Sequence, residues 1–168
     1  IAAVRTCGPP VAILNHHGRR WRHRIIAMDG NYACRERLNP DLAVTYPQLD
    51  LRKGDTRHNV AAIRRYCRAA PPDALVTSNW GSIEWALANL LPPRLPHVHM
   101  EDGFGPDEAV RQKPQRIWMR RLALRRSEIV LPSQVLFGHA RDLWKLPAQR
   151  LHYVPNGLDL GRFRRDGS

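Results

Sequence analysis

Two adjacent carboxylates, Glu101 and Asp102, stand in the run His99-Met100-Glu101-Asp102-Gly103-Phe104-Gly105. A carboxylate within hydrogen-bond reach of an attacking hydroxyl can orient it and accept its proton, which is general-base work. His99 adds a second titratable group two residues upstream, and Gly103 and Gly105 let the loop bend around a ligand. Glu101 and Asp102 are therefore the catalytic candidates, with His99 and Gly103 as binding candidates beside them. The alternative is a plain connecting loop whose acids cap the following helix. Asp107 and Glu108 fit that role as first-turn helix acids.

Placing that loop requires the elements around it. Short apolar runs over 23–28, 43–46, 74–78, 96–100, 128–132 and 151–154 read as strands, several closed by Pro, Gly or Asn. Between them, Asp55 caps a helix with Val60, Ile63 and Cys67 on one face, and Ile83, Leu87 and Leu90 mark the next. A helical stretch over 106–126 is interrupted near Pro114, and Ser133 caps a helix holding Leu136, Ala140 and Leu143. Residues 11–15 read as the end of a first helix with no strand ahead of it. Trp85, Trp118 and Trp144 lie within helices and read as core, Trp21 as a half-buried edge residue, and His16 and His17 as surface.

Strands alternating with helices of ten or more residues predict an α/β domain. It is a Rossmann-like, mainly parallel sheet with helices on both faces. Ligands of such a sheet bind outside the carboxyl ends of its strands. That rule selects three loops: Asn79-Trp80-Gly81-Ser82 after 74–78, residues 101–108 after 96–100, and Asn156-Gly157 after the last strand. Trp80 offers a flat apolar face there, with core packing as the alternative.

The chain has 168 residues, 43% hydrophobic and 25% charged. That suits one globular domain with a buried core. No run approaches the roughly 20 apolar residues of a membrane span. No signal peptide is visible, and the chain does not begin with Met. Cys7, Cys34 and Cys67 lack metal-ligand spacing and read as reduced thiols in a cytoplasmic setting. With 27 Lys and Arg against 15 Asp and Glu, the net charge is +12. Such a balance favours anionic partners, an anionic membrane surface above nucleic acid, unless it is only compositional bias. In the stretch after Pro114, Arg116, Arg120, Arg121, Arg125 and Arg126 point around most of a helix and form no clean stripe.

The end of the sequence is the most specific part. Leu151-His152-Tyr153-Val154-Pro155-Asn156-Gly157-Leu158-Asp159, closed by Phe163, resembles the "IPNGVD…F" signature of family-4 glycosyltransferases, the retaining GT-B enzymes. In them it ends the N-terminal, acceptor-side domain. The resemblance covers about residues 11–163 and is strongest over 74–108 and 128–163. It implies a sugar transferred from a nucleotide-sugar donor to a glycan or lipid-linked acceptor. It also implies that Asn79, Trp80 and Gly81 form the acceptor-side loop, and that Ser133, Asn156 and Gly157 line the cleft facing a second domain. Many members have a "H-G-E-H-G" pattern after the strand at 96–100. Here His99 matches its first His, and Asp102 stands where the second would fall.

The same resemblance implies that a C-terminal domain holds the donor through a pair of glutamates. The expectation is an acceptor half that lacks its first strand and its donor domain, binds no cofactor or metal itself, and is inactive alone. Its location would be the cytoplasm, with a peripheral place at the inner face of a membrane as the alternative. The absence of G-x-G-x-x-G, G-x-x-x-x-G-K-[ST] and G-x-S-x-G patterns argues against a nicotinamide dehydrogenase, a P-loop NTPase and a serine hydrolase. The competing expectation is a truncated, non-catalytic domain whose basic surface binds a polyanion or a membrane.

Overall fold

The computed structural model describes residues 2–3, 9–104, 108 and 111–157. In chain order its elements begin with β1 (Ala2–Ala3), α1 (Pro9–His17), β2 (His23–Arg24), β3 (Val44–Thr45), α2 (Thr56–Ala69), β4 (Leu75–Ser78) and α3 (Ile83–Ala88). They continue with β5 (His97–Met100), α4 (Pro114–Leu124), β6 (Glu128–Leu131), α5 (Gln134–Gly138) and β7 (Leu151–Tyr153). Five strands form one parallel sheet in the order β1-β4-β5-β6-β7, and β2 and β3 form a separate parallel pair. Helices cover the main sheet, which makes this a Rossmann-like α/β domain.

Each helix forms where its sequence supplies a start and an apolar face. Asp55 caps α2 by accepting the His58 NH at 3.0 Å. Ile63, with Val60 and Cys67 beside it, then packs against Leu75, Trp85 and Ala88. Burying a side chain such as Ile63 stabilises the fold by about 1.5–3 kcal/mol. Ser133 caps α5 through the Leu136 NH at 3.2 Å. A second cluster around Ile129, Leu131, Leu124 and Trp144 fills the other end of the sheet.

The structure departs from several expectations. Ala2–Ala3 pairs with Val76 and Thr77, so a first strand is present; two alanines are too short a run to show in the sequence. The run 23–28 is a strand only at His23–Arg24. The Ile25 NH still bonds to the Thr45 carbonyl at 2.9 Å, and Ile26 and Ala27 continue as buried coil. Pro114 starts α4 rather than interrupting it, since a missing NH costs nothing in a first turn. Of the expected helix before Pro114, residues 111–113 are non-helical bend and coil, and 106, 107, 109 and 110 lie outside the described residues.

Two tryptophans also differ. Trp118 is 62% exposed, because the inward stripe of α4 runs through Ile117, Arg120, Ala123 and Leu124. Trp21 is 61% exposed rather than half-buried. Leu90 lies beyond the end of α3. Leu143 is solvent-exposed and Trp144 is buried in its place. The helix opens into a π-type turn over His139–Leu143, and the Trp144 NH reaches back to the His139 carbonyl at 2.9 Å. That wider turn adds one residue and rotates the following side chains off the α-helical register.

Candidate active site

The parallel register brings the three selected loops to one edge. Ser78 stands opposite Met100, and Met100 opposite Val130, so β4, β5 and β6 end together. Asn79 leaves β4 with φ 56° and ψ 178°, a conformation that glycine takes readily and asparagine rarely. Two bonds hold it there. Its NH donates to the Met100 carbonyl at 2.8 Å, and its Oδ1 accepts the Asp102 NH at 2.8 Å. The first two loops are thus tied to each other at their roots.

The two adjacent carboxylates separate in space. Asp102 is half-buried at the edge of the sheet. Burial pushes its carboxyl above the usual range and the Glu101 charge adds to this, against a hydrogen bond from Asn79 and the nearby His99. A raised carboxylate is a better proton acceptor. Glu101 and His99 are fully buried instead. Period-two alternation turns His97 and His99 to the interior of β5, where polar side chains from neighbouring elements meet them. Neither Glu101 nor His99 presents a surface to a ligand, so the direct contacts expected of them from the sequence are not formed by this arrangement.

What meets Glu101 is one of the arginines that form no clean stripe in the sequence. Arg120 is 1% exposed. Its Nε approaches Glu101 Oε2 at 3.4 Å, and its fork reaches Glu108 at 3.1 and 3.4 Å. Its guanidinium lies 5.0 Å from the Trp80 ring centre, 5.0 Å from Trp144 and 5.4 Å from Phe104. Arg116, one turn earlier, bonds Glu108 at 2.9 Å and lies 4.9 Å from the Trp80 ring. Burial alone would raise the Glu108 carboxyl, but Arg120, Arg116 and the Lys113 backbone NH outweigh it and hold it below the usual range. Glu108 is thus a buried ion-pair partner, not a solvent-facing helix acid. The sequence signal for all this is faint: two arginines four apart on a helix that carries no acid.

A hydrogen-bonded chain runs from Glu101 into the sheet. His99 Nε2 lies 3.5 Å from Glu101 Oε2, and His99 Nδ1 lies 2.7 Å from Thr77 Oγ1. Thr77 Oγ1 meets His97 Nε2 at 2.8 Å, and His97 Nδ1 meets Ser127 Oγ at 2.7 Å. Burial, with His99 as a neighbour, lowers the His97 pKa to about 3. Glu101 Oε1 has no hydrogen-bond partner among the described residues.

The remaining expected residues take simpler places. Trp80 and Gly81 form a half-buried 3₁₀ turn leading into α3, with the Trp80 ring packed against the core and the two arginines. Gly103 follows Asp102 with φ 157°, and a Cβ there would meet open space. Ser133 spends its hydroxyl on the α5 cap, while Asn156 and Gly157 are exposed on the same edge. Gly105, Asp107, Asp159 and Phe163 lie outside the described residues. An apolar cavity lined by Ile63, Cys67, Leu75, Trp85 and Leu95 sits at the opposite, amino end of β4. The edge itself therefore offers a proton acceptor, beside a tryptophan backed by two arginines, and exposed backbone on one side of an open sheet.

Comparison with known proteins bears on the fold. No curated protein matches the chain. The family model described as Glycosyltransferase Family 4 matches residues 11–162, which is most of the chain and includes every element from α2 to β7. The chain belongs to glycosyltransferase family 4.

Proposed function

We propose that this chain is the acceptor-side half of a retaining glycosyltransferase that moves a sugar from a nucleotide donor to a glycan or lipid-linked acceptor. The observation that supports it best is the tie between Asn79 and Asp102. It places one raised carboxyl beside the Trp80 turn, at the edge where an open parallel sheet binds ligands. In this reading Asp102 faces the transferred sugar and Trp80 backs the acceptor ring. A companion C-terminal domain closes the cleft and holds the nucleotide-sugar donor. Screening the full-length protein against a panel of nucleotide-sugar donors, read by released nucleotide, tests it. Asp102→Asn should lower turnover by roughly 10²-fold or more, in the range general-base catalysis supplies. Turnover unchanged by that substitution sinks the assignment.

The second reading, a basic surface held on an anionic membrane, draws on α4. Residues 111–127 contain seven Lys or Arg and no Asp or Glu. Arg116 and Arg120 turn inward, while Arg121, Arg125 and Trp118 share the exposed side. Among the described residues no helix is long and apolar enough to cross a membrane. An exposed indole flanked by arginines suits the headgroup region of a bilayer. Salt-sensitive co-sedimentation with anionic vesicles and none with neutral ones would support it.

A further inference from the structure

We propose that Glu101 is a positioning residue: clamped between Arg120 and His99, its carboxylate orients the whole Ser127-His97-Thr77-His99 chain in one direction and anchors the backbone that carries Asp102. The placement of Asp102 at a sugar-transfer site rests on the reading above; the wiring does not.

The direction of the chain follows from a count of hydrogens. A neutral imidazole has one N–H and a hydroxyl has one hydrogen, so each link in this chain has one donor. Glu101 Oε2 already accepts from Arg120 Nε and, as a carboxylate, can only accept. His99 must therefore donate from Nε2, which leaves its Nδ1 to accept from the Thr77 hydroxyl. Thr77 then has only a lone pair for His97, so His97 donates from Nε2 and accepts at Nδ1 from Ser127. One anion at the end of the chain thus fixes the tautomers of two buried rings.

The consequence for the site is mechanical. Asp102 follows Glu101 directly, and its NH is the donor to Asn79. A Glu101 side chain held from two sides restrains the tilt of that peptide. Trp80 is held by the same Arg120. One buried cation therefore sets the place of both groups assigned to the substrate.

The test is the ring-nitrogen spectrum of the ¹⁵N-labelled chain near neutral pH. His97 and His99 should both carry hydrogen on Nε2; either ring as Nδ1–H, or His99 as imidazolium, overturns the proposal. In Glu101→Leu no acceptor faces His99 Nε2. Nothing then fixes the direction of the chain, and the single Nε2–H state of the two rings should be lost; a folded variant in which both rings keep that state overturns it. Should that variant not fold, Glu101→Gln supplies the decision. Its amide oxygen still accepts from Arg120 and His99, so the tautomers should stay, while the Asp102 carboxyl, freed from a like charge, should titrate lower than in wild type. Switched tautomers or an unmoved Asp102 would count against the clamp. None of these readings depends on turnover.

Discussion

Asn79 accepts the backbone NH of Asp102 at 2.8 Å from a backbone conformation that glycine would hold with less strain. The side chain is therefore there for its bond and in spite of its φ. Strain of this kind costs on the order of 1–3 kcal/mol and persists where surrounding bonds enforce it. Asn79→Ala keeps the strain and loses the tether, which should cost about 1–3 kcal/mol in urea unfolding. Asn79→Gly loses the same tether but relaxes the backbone, so it should be the more stable of the two. Both should raise the Asp102 carboxyl further, since Asn79 is the main influence lowering it. A carboxyl titration by NMR checks that part. Equal stability of the two variants would mean that the backbone at 79 is not strained.

Arg120 is the second place where one substitution should have a large effect. It is the shared partner of Glu101 and Glu108 inside the domain. Removing one member of a buried ion network leaves an unmatched charge, typically at about 3–5 kcal/mol. Arg120→Met should fall in that range by urea unfolding, and Arg120→Lys should recover only part of it. An ammonium has the charge but not the planar fork that reaches two carboxylates at once. Arg121→Met, one residue along and exposed, should stay within about 0.5 kcal/mol of wild type. Similar losses at 120 and 121 would contradict the inward placement of Arg120.

The contrast between those two arginines explains what was legible in the sequence. The order of strands and helices could be read because each helix announces itself: Asp55 and Ser133 cap where expected, and Ile63 and Leu136 face the core. The edge that gathers Asn79, Asp102 and Asn156 followed from the parallel sheet alone. The burial of Glu101 and Arg120 could not be read, because a charge enters a core only with its partner. That partner here is 19 residues away in sequence. The two-residue β1 was hidden because pairing with β4, not its own composition, makes it a strand. The exchange of Leu143 for Trp144 was hidden in the π-type turn, which no apolar spacing foretells.

That exchange gives a third expectation, since Trp118 and Trp144 look alike in the sequence and occupy opposite environments. Trp144 is fully buried, donates to Gln112 Oε1 at 2.7 Å and stacks near Arg120. Trp144→Ala should cost about 3–5 kcal/mol, the range for emptying a large aromatic site. Trp118→Ala should lie within about 0.5 kcal/mol of wild type by the same measurement. Binding to anionic vesicles should drop in Trp118→Ala if α4 faces a bilayer. A large stability loss at Trp118 would mean that another part of the protein covers it.

His97 should give the fold an acid limit of its own. Its folded pKa is about 3, against an ordinary 6.5, because burial and then the neighbouring His99 disfavour the charged ring. The unfolded chain therefore takes up a proton on this residue before the folded chain does. A group whose folded pKa is depressed in this way contributes stability that is complete above pH 6.5 and declines as the pH falls toward 3. Across that window the decline can reach roughly 5 kcal/mol from this one ring. Glu108, also depressed, acts in the same direction at the acid end. Asp102, raised in the folded state, acts in the opposite direction: its contribution is present at low pH and fades as pH rises through its folded value. The net slope of unfolding free energy between neutral pH and the acid end should thus be positive with pH and dominated by His97. Replacing that ring with a non-titrating amide of similar reach, His97→Gln, should lower stability at neutral pH and flatten the slope. A wild-type slope that survives this substitution would mean that burial does not depress the His97 pKa in the fold.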